Sequence, residues 1–148
     1  MRAVLTRVSR ASVTIDGQVV GSIGKGFLIL LGVGQNDTES QCVKLADKLT
    51  GLRIFDDDND KMNWSLMDVG GEILVISQFT LYGNCKKGRR PEYLAAARPE
   101  LAIPLYEKFV QLCRDKGFHV ETGVFGADMQ VESVNNGPVT LIVDTDNL

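Results

Sequence analysis

The sequence predicts one α/β domain covering residues 1–148, with mixed β-sheets and two main helices. Three observations predict it. The N-terminal stretch alternates apolar and polar residues with the period of two that marks a strand. Two later runs, FLILLGV and EILVIS, are continuously apolar, as expected of strands buried on both faces. Two other stretches change to an apolar period of three and four residues over helix-like lengths. A chain of 148 residues is long enough to bury a real core as a single unit.

The elements follow in order. AVLTRV and ASVTI read as two alternating strands, and GQVVGSIGKG as a short strand between turn glycines. FLILLGV is the first buried-type strand. In DTESQCVKLADKLTG, Thr38 and Gln41 have capping-box spacing, Cys42, Ala46 and Leu49 form an apolar stripe, and Gly51 can close the helix. LRIF is a short strand leading into the acidic turn DDDND. EILVIS runs directly into QFTLYG and the loop NCKKGRRPEY. A second helix is expected from Leu101 to Lys116, with Leu101, Leu105, Phe109 and Leu112 on one face, Pro104 in its first turn and Gly117 as its stop. HVETG, MQVESV and VTLIVDT complete the chain as strands. No linker or internal repeat interrupts this order, which fits one domain with both parallel and antiparallel pairing.

Composition excludes several classes. Hydrophobic residues make up 44% and charged residues 24%, ordinary values for a globular protein. No apolar run approaches the roughly 20 residues that span a bilayer. The N-terminus lacks a signal-peptide core, so a cytoplasmic protein is expected, with no membrane partner. Three cysteines without C-x-x-C spacing argue against a disulfide framework or a zinc site. The net charge of −3 does not indicate a nucleic-acid binder. It conceals a local basic cluster, Lys86, Lys87, Arg89 and Arg90, which suits either a solvated loop or a phosphate-facing patch.

Most candidate motifs fail on inspection. Asp56, Asp58 and Asp60 occupy EF-hand positions one, three and five, but Lys61 stands where glycine is required and Met67 where a bidentate glutamate belongs. Gly21, Gly24 and Gly26, and Gly32 and Gly34, form no complete phosphate-binding loop. His119 is the only histidine, so nucleophile–histidine chemistry has little to draw on. Cys42 and Cys113 fall in the helices as packing residues, and Cys85 has no base beside it. Two segments remain. Ser77, Gln78 and Thr80 end a buried strand, where α/β folds commonly bind ligands. NNGPVT, residues 135 to 140, places Gly137–Pro138 between two strand-like runs, although proline cannot donate to a sheet and glycine weakens a strand. A tight turn explains that pair, and so does a turn shaped to hold a ligand.

Together, Ser77-Gln78-Phe79-Thr80 and Asn135-Asn136-Gly137-Pro138-Val139-Thr140 resemble the paired S-Q-x-T and N-x-G-P-V-T signature of the D-aminoacyl-tRNA deacylases. RAVLTRVSRASVTIDGQVVGSIGKGFLILLGV, KMN, GRRP and GADMQV extend the resemblance over essentially the whole chain. The resemblance implies the deacylase fold, a homodimer formed through its sheets, and hydrolysis of the ester bond of D-aminoacyl-tRNA without cofactor or metal. It also implies a cis Gly137–Pro138 peptide inserted into the partner subunit's active site, braced by Arg7, with Asn135, Val139 and Thr140 completing the substrate-binding loop.

Backbone there would reject an L side chain and admit a D one, while glycine would pass, so glycyl-tRNA mischarged on the alanine tRNA is an expected substrate. Ser77, Gln78, Phe79 and Thr80 are the implied catalytic segment. Two schemes stand beside each other. In one, Thr80 attacks as a nucleophile, which requires a base that neither motif contains. Alternatively, the substrate's ribose hydroxyl assists water while backbone N–H groups near Phe79 and Thr80 hold the oxyanion and Gln78 positions the ester. The scarcity of bases favours the second. Phe125 and Met129 match the adenosine pocket, with core packing the other explanation for Phe125. Tyr82, Lys86, Lys87, Arg89 and Arg90 are expected to approach the tRNA acceptor stem. The competing function class is a non-catalytic module that binds RNA or DNA ends on the same fold.

Overall fold

The computed structural model describes residues 1–148. In chain order it contains β1 (Arg2–Ile15), β2 (Gln18–Ile23), β3 (Gly26–Gly32), α1 (Glu39–Gly51), β4 (Phe55–Asp56), β5 (Met62–Trp64), β6 (Glu72–Ser77), a 3-10 turn (Phe79–Tyr82), α2 (Pro99–Asp115), β7 (Val120–Thr122), β8 (Gln130–Asp144) and a second 3-10 turn (Thr145–Asn147). This is the α/β class with mixed pairing and two main helices that the sequence predicts. No helix is long and apolar enough to cross a membrane.

β1 organises the main sheet. Along one edge β3 pairs with Arg2–Val8 and β2 with Ala11–Ile15, both antiparallel, and β8 pairs antiparallel with nearly the whole strand. β3, β6 and β7 continue the sheet in parallel. The two N-terminal strands expected from the alternation are one strand containing a bulge. Val8 pairs with Asn135 and Arg10 with Val134, leaving Ser9 without a partner. One unpaired residue exchanges the faces of everything after it. Ala11 and Val13 therefore share a cluster with Val8, whereas Ala3 and Leu5 belong to the other core.

The larger core lies between the sheet and the helices. Cys42, Leu45, Ala46 and Leu49 of α1, and Leu105, Phe109 and Cys113 of α2, meet Leu5, Phe27, Ile29, Ile73 and Val75. The alternate residues Leu28, Leu74 and Ile76 fill the second core with Val8, Ala11, Val13 and Ile23. β3 and β6 are thus buried on both faces, which explains their unbroken apolar runs. β2 folds toward β7 so closely that a Cβ on Gly21 would lie 2.8 Å from the Thr122 carbonyl oxygen.

Local chemistry sets the helix ends. Gln41 Oε1 accepts from the backbone N–H of Thr38 at 2.8 Å and from its hydroxyl at 2.7 Å, closing the N-terminus of α1. α2 starts two residues earlier than expected, because Pro99 takes its first position and Pro104 consequently lies inside the helix. Proline's fixed φ and missing N–H suit Pro99 there, while Pro104 removes one bond from the ladder. Gly117, at φ 95°, ends α2 as expected. The acidic turn joins β4 to β5, a strand with too little periodicity to be read from the sequence. Within it Asp57 Oδ1 accepts the Asn59 and Lys61 N–H groups, and these hydrogen bonds hold its carboxyl below the usual range.

Because Phe109 is fully buried between helix and sheet, Phe109→Ala is expected to cost about 3–5 kcal/mol, the usual cost of removing a core aromatic ring. Val43→Ala, on the exposed side of α1, is expected to change stability by no more than about 0.5 kcal/mol. Urea unfolding of both variants checks the placement of this core.

Candidate active site

Ser77 ends β6 beside Leu31, at the C-terminal edge of the parallel pair β3–β6. The Gln78 N–H extends the ladder by donating to the Leu31 carbonyl at 2.8 Å, after which the chain turns sharply. Leu81 N–H donates to the Gln78 carbonyl at 3.3 Å and closes the 3-10 turn. Phe79 and Thr80 precede that bond, so their N–H groups have no acceptor within the turn. Both residues are exposed, and the Phe79 ring packs edge-on against Tyr93 with centroids 5.3 Å apart. The Gln78 side-chain amide donates to the Thr80 hydroxyl.

No carboxylate, imidazole or amine hydrogen-bonds the Thr80 hydroxyl. His119 lies beside Ile73, whose N–H donates to its carbonyl, four residues back along β6 from Ser77. At about 3.3 Å per strand residue it is some 13 Å away along the strand. Burial raises the Cys42 thiol to about 11 and the Cys113 thiol to about 12, so neither supplies a thiolate at neutral pH. Cys85 is exposed and unpaired in its loop.

Beneath the turn is a cavity of about 270 Å³, walled by Ser77, Gln78, Phe79, Tyr106, Phe125 and Met129 among others. It is smaller than the ~300–1,000 Å³ usual for drug-sized ligands and suits a single flat ring system. Phe125 is only partly buried and meets Tyr106 edge-to-face at 6.1 Å, while the Tyr106 hydroxyl donates to the Val75 carbonyl at 2.9 Å. A Cβ on Gly123 would collide with the Met129 sulfur, so glycine there lets Met129 form the wall. Phe125 and Met129 therefore line the same cavity as the S-Q-x-T segment. Tyr106, on the apolar stripe of α2, had no sequence signal separating wall from core.

The NNGPVT segment lies elsewhere. Thr6 pairs with Thr140 and Val8 with Asn135, so Arg7 alone faces residues 136–139, which bulge from the sheet. Arg7 is 5% exposed. Its Nε donates to the Asn136 carbonyl at 3.0 Å and its Nη1 to the Ile54 carbonyl at 2.6 Å. The bulge also binds itself: Asn135 Nδ2 donates to Thr140 Oγ1 at 3.0 Å, and Val139 N–H donates to Asn135 Oδ1 at 3.2 Å. Val139 is buried, Gly137 and Pro138 are exposed, and the peptide between them is cis. Gly137 has φ 122°, and a Cβ there would lie 2.5 Å from Arg7 Nη2.

The two motifs do not meet within one chain. Arg7 is level with Phe27 and Ile73, four residues from Ser77 along β6 and three strand spacings from β8. At about 3.3 Å per residue and 4.8 Å per strand, the separation is on the order of 20 Å.

Lys86, Lys87, Arg89 and Arg90 project from a hairpin closed by reciprocal Asn84 and Glu92 backbone bonds of 2.8 and 3.1 Å. All four are exposed, and none pairs with an acidic side chain. Tyr82 does not join that surface. Its ring packs beneath Arg2, and its hydroxyl faces Asp37 at 3.5 Å.

A sequence profile of D-Tyr-tRNA(Tyr) deacylase matches residues 4–144. D-aminoacyl-tRNA deacylases of Thermus aquaticus and Fervidobacterium nodosum are 57% and 59% identical to this chain over 145 residues, covering 98% of it and 95% and 97% of their own lengths. Among solved structures, the c-Myc DNA unwinding element binding protein superposes with a TM-score of 0.91 at 39% identity, covering 97% of this chain and 98% of its own. A probable eukaryotic D-amino acid tRNA deacylase shares the fold, with a TM-score of 0.78 at 18% identity over 96% of this chain and 97% of its own. The signature motifs, the fold that holds them and near-full-length identity agree: the chain belongs to the D-Tyr-tRNA(Tyr) deacylase family.

Proposed function

We propose that this chain, a D-aminoacyl-tRNA deacylase by family, works as a homodimer in which the Gly137–Pro138 loop of one copy completes the Ser77–Thr80 site of the other. The observation that carries this proposal is the placement of the loop. A buried guanidinium is committed to an exposed backbone bulge on the order of 20 Å from the turn of the same chain. The same guanidinium is held by the Ile54 carbonyl and faces the Asp56 carboxylate at 3.8 Å, so a desolvated and partnered cation fixes the loop in place, a costly device for a loop that touches nothing. The sheet offers a face for the second copy. Ile142, Val4 and Leu30 form one apolar row across three strands that leads to the buried Ile76, and exposure reaches 75% at Ile142. An open apolar face of this kind suits a protein contact.

In the proposed site the terminal adenosine enters the cavity against Phe125 and Met129, and Gln78 positions the ester. The N–H groups of Phe79 and Thr80 stabilise the oxyanion as water adds to the carbonyl, a role that pre-oriented backbone donors fill well. The neighbouring ribose hydroxyl assists that water, since Thr80 has no base to activate it. The tetrahedral intermediate then expels the ribose oxygen, releasing free amino acid and tRNA. No metal or cofactor enters this scheme. The arriving loop presents backbone and a proline ring, so it reads groups common to all amino acids. A D side chain points out to solvent, an L side chain meets the loop, and glycine passes, including glycine mischarged on the alanine tRNA. Lys86, Lys87, Arg89 and Arg90 would meet acceptor-stem phosphates.

A second function is favoured by one finding, the name of the 39%-identical relative as a DNA unwinding element binding protein. A binding module of that kind would hold nucleic-acid ends without hydrolysis. Incubation with matched D- and L-aminoacyl-tRNA, following free amino acid, separates the two. Rapid release from the D-form alone is expected, and no release from either would leave only binding. In the same assay Gly137→Ala, which drives a Cβ into Arg7, should lower D-specific hydrolysis by at least about tenfold, since an ångström of misplacement can cost that much. Thr80→Ala is expected to keep activity within about tenfold, whereas substrate lacking the vicinal ribose hydroxyl should react poorly. An inactive Thr80→Ala, with a threonyl ester trapped in the parent and detected by mass spectrometry, would establish covalent catalysis instead.

A further inference from the structure

The turn that carries Phe79 and Thr80 is a poor platform by itself. Four residues of 3-10 helix have weak hydrogen-bond geometry, and two of these four are exposed. Something outside the turn must hold it, and the contacts converge on Arg2. Its Nη1 donates to the Leu81 carbonyl at 2.8 Å, and its guanidinium lies 4.6 Å from the centre of the Tyr82 ring. Its Nε donates to Asp144 Oδ2 at 2.9 Å. Arg2 and Asp144 are cross-strand partners in the β1–β8 ladder, so the backbone itself brings them together. Asp144 is fixed in turn through its other oxygen, which accepts the Asp146 N–H at 3.0 Å.

The opposite side of Tyr82 is equally constrained. A Cβ on Gly34 would lie 3.0 Å from the Tyr82 ring, and one on Gly32 would lie 3.3 Å from it and 3.2 Å from the Leu81 Cβ. The two glycines that resemble a phosphate loop in the sequence instead make room for this ring. Leu81 and Tyr82 are therefore held between β3 and an arginine that β8 anchors. A cation on the Leu81 carbonyl also complements the negative end of the turn, opposite the end bearing the free N–H groups.

We propose that Arg2, anchored by Asp144, is a positioning residue for deacylation: it fixes the Phe79–Tyr82 turn so that the oxyanion donors are pre-oriented. This rests on the assignment of those donors to Phe79 and Thr80. The electrostatics agree. Burial raises the Asp144 carboxyl, but the Asp146 N–H, its hydrogen bond from Arg2 and the Arg2 charge outweigh that effect and hold it below the usual range, so the pair is ionised at neutral pH.

The test compares full-length Arg2→Ala, Arg2→Lys and Asp144→Asn with the parent. Steady-state deacylation of D-aminoacyl-tRNA is measured together with amide hydrogen exchange of the peptide covering residues 79–83. Donors used only in the transition state act on kcat, so Arg2→Ala is expected to lower kcat about tenfold or more with KM within about twofold. Exchange in the turn should accelerate. Arg2→Lys should recover part of kcat, because an ammonium reaches one acceptor where the guanidinium fork reaches two. Asp144→Asn keeps the shape of the anchor and should give an intermediate loss should Arg2→Ala fold poorly. Unchanged kcat with unchanged exchange would overturn the proposal, because the turn would not depend on Arg2. Faster exchange with unchanged kcat would also overturn it, and would identify the oxyanion assignment as the premise that failed. A rise in KM alone would place Arg2 in binding and likewise reject it.

Discussion

Antiparallel pairing of β1 with β8 sets Arg7 against the bulge at residues 136–139, Val4 against Ile142, and Arg2 against Asp144. Each pairing serves a different part of the proposed site. The first holds the Gly137–Pro138 loop, the second extends the apolar face open to a partner, and the third anchors the turn bearing Gln78 and Thr80. A strand has a side-chain period of two, so one residue of slippage would turn all three to the wrong face. The bulges beside Arg7 and at Ser9 change register locally while the flanking ladders keep it.

The loop shows how strictly the pieces fit. Arg7 gives hydrogen bonds to two carbonyls, one on the bulge and one at Ile54, just before β4. Its guanidinium carbon lies 6.0 Å from the centre of the ring of Phe55, a member of the larger core. Losing the guanidinium would leave the Ile54 carbonyl without this donor, a defect worth about 1–3 kcal/mol for a buried group. Gly137 leaves no room for a side chain on that guanidinium. The exposed loop is therefore held by the same close contacts that fix a buried residue, as the proposed discrimination by shape requires.

Much of this was legible in the sequence. The capping box at Thr38, the stop at Gly117 and the doubly buried β3 and β6 all follow from residue type and spacing, because each depends on neighbours a few positions away. The features that were not legible depend on distant contacts. The Ser9 bulge reverses the alternation midway along β1, so one strand reads as two. Pro104 lies inside α2 because Pro99 fits the first position better. Tyr106 sits on an ordinary apolar stripe, and only the cavity distinguishes it from Leu105 or Phe109. S-Q-x-T and N-x-G-P-V-T could be recognised by resemblance. Their 20 Å-scale separation within a chain could not, because it arises from strand order, and sequence alone does not specify which edge β8 joins.

The central claim is that each site takes its turn from one copy and its loop from another, and subunit complementation tests this directly. One variant carries Gly137→Ala, disabling the loop, and a second carries Gln78→Ala, disabling the turn. Each is assayed alone and after the two are unfolded together and refolded as mixed dimers. If sites form across copies, every mixed dimer has one site with both parts intact. Random pairing should then restore D-aminoacyl-tRNA hydrolysis to about a quarter of the parent rate. If the loop serves the turn of its own chain, every site in the mixture carries one defect, and activity that stays at the average of the two variants would contradict the account.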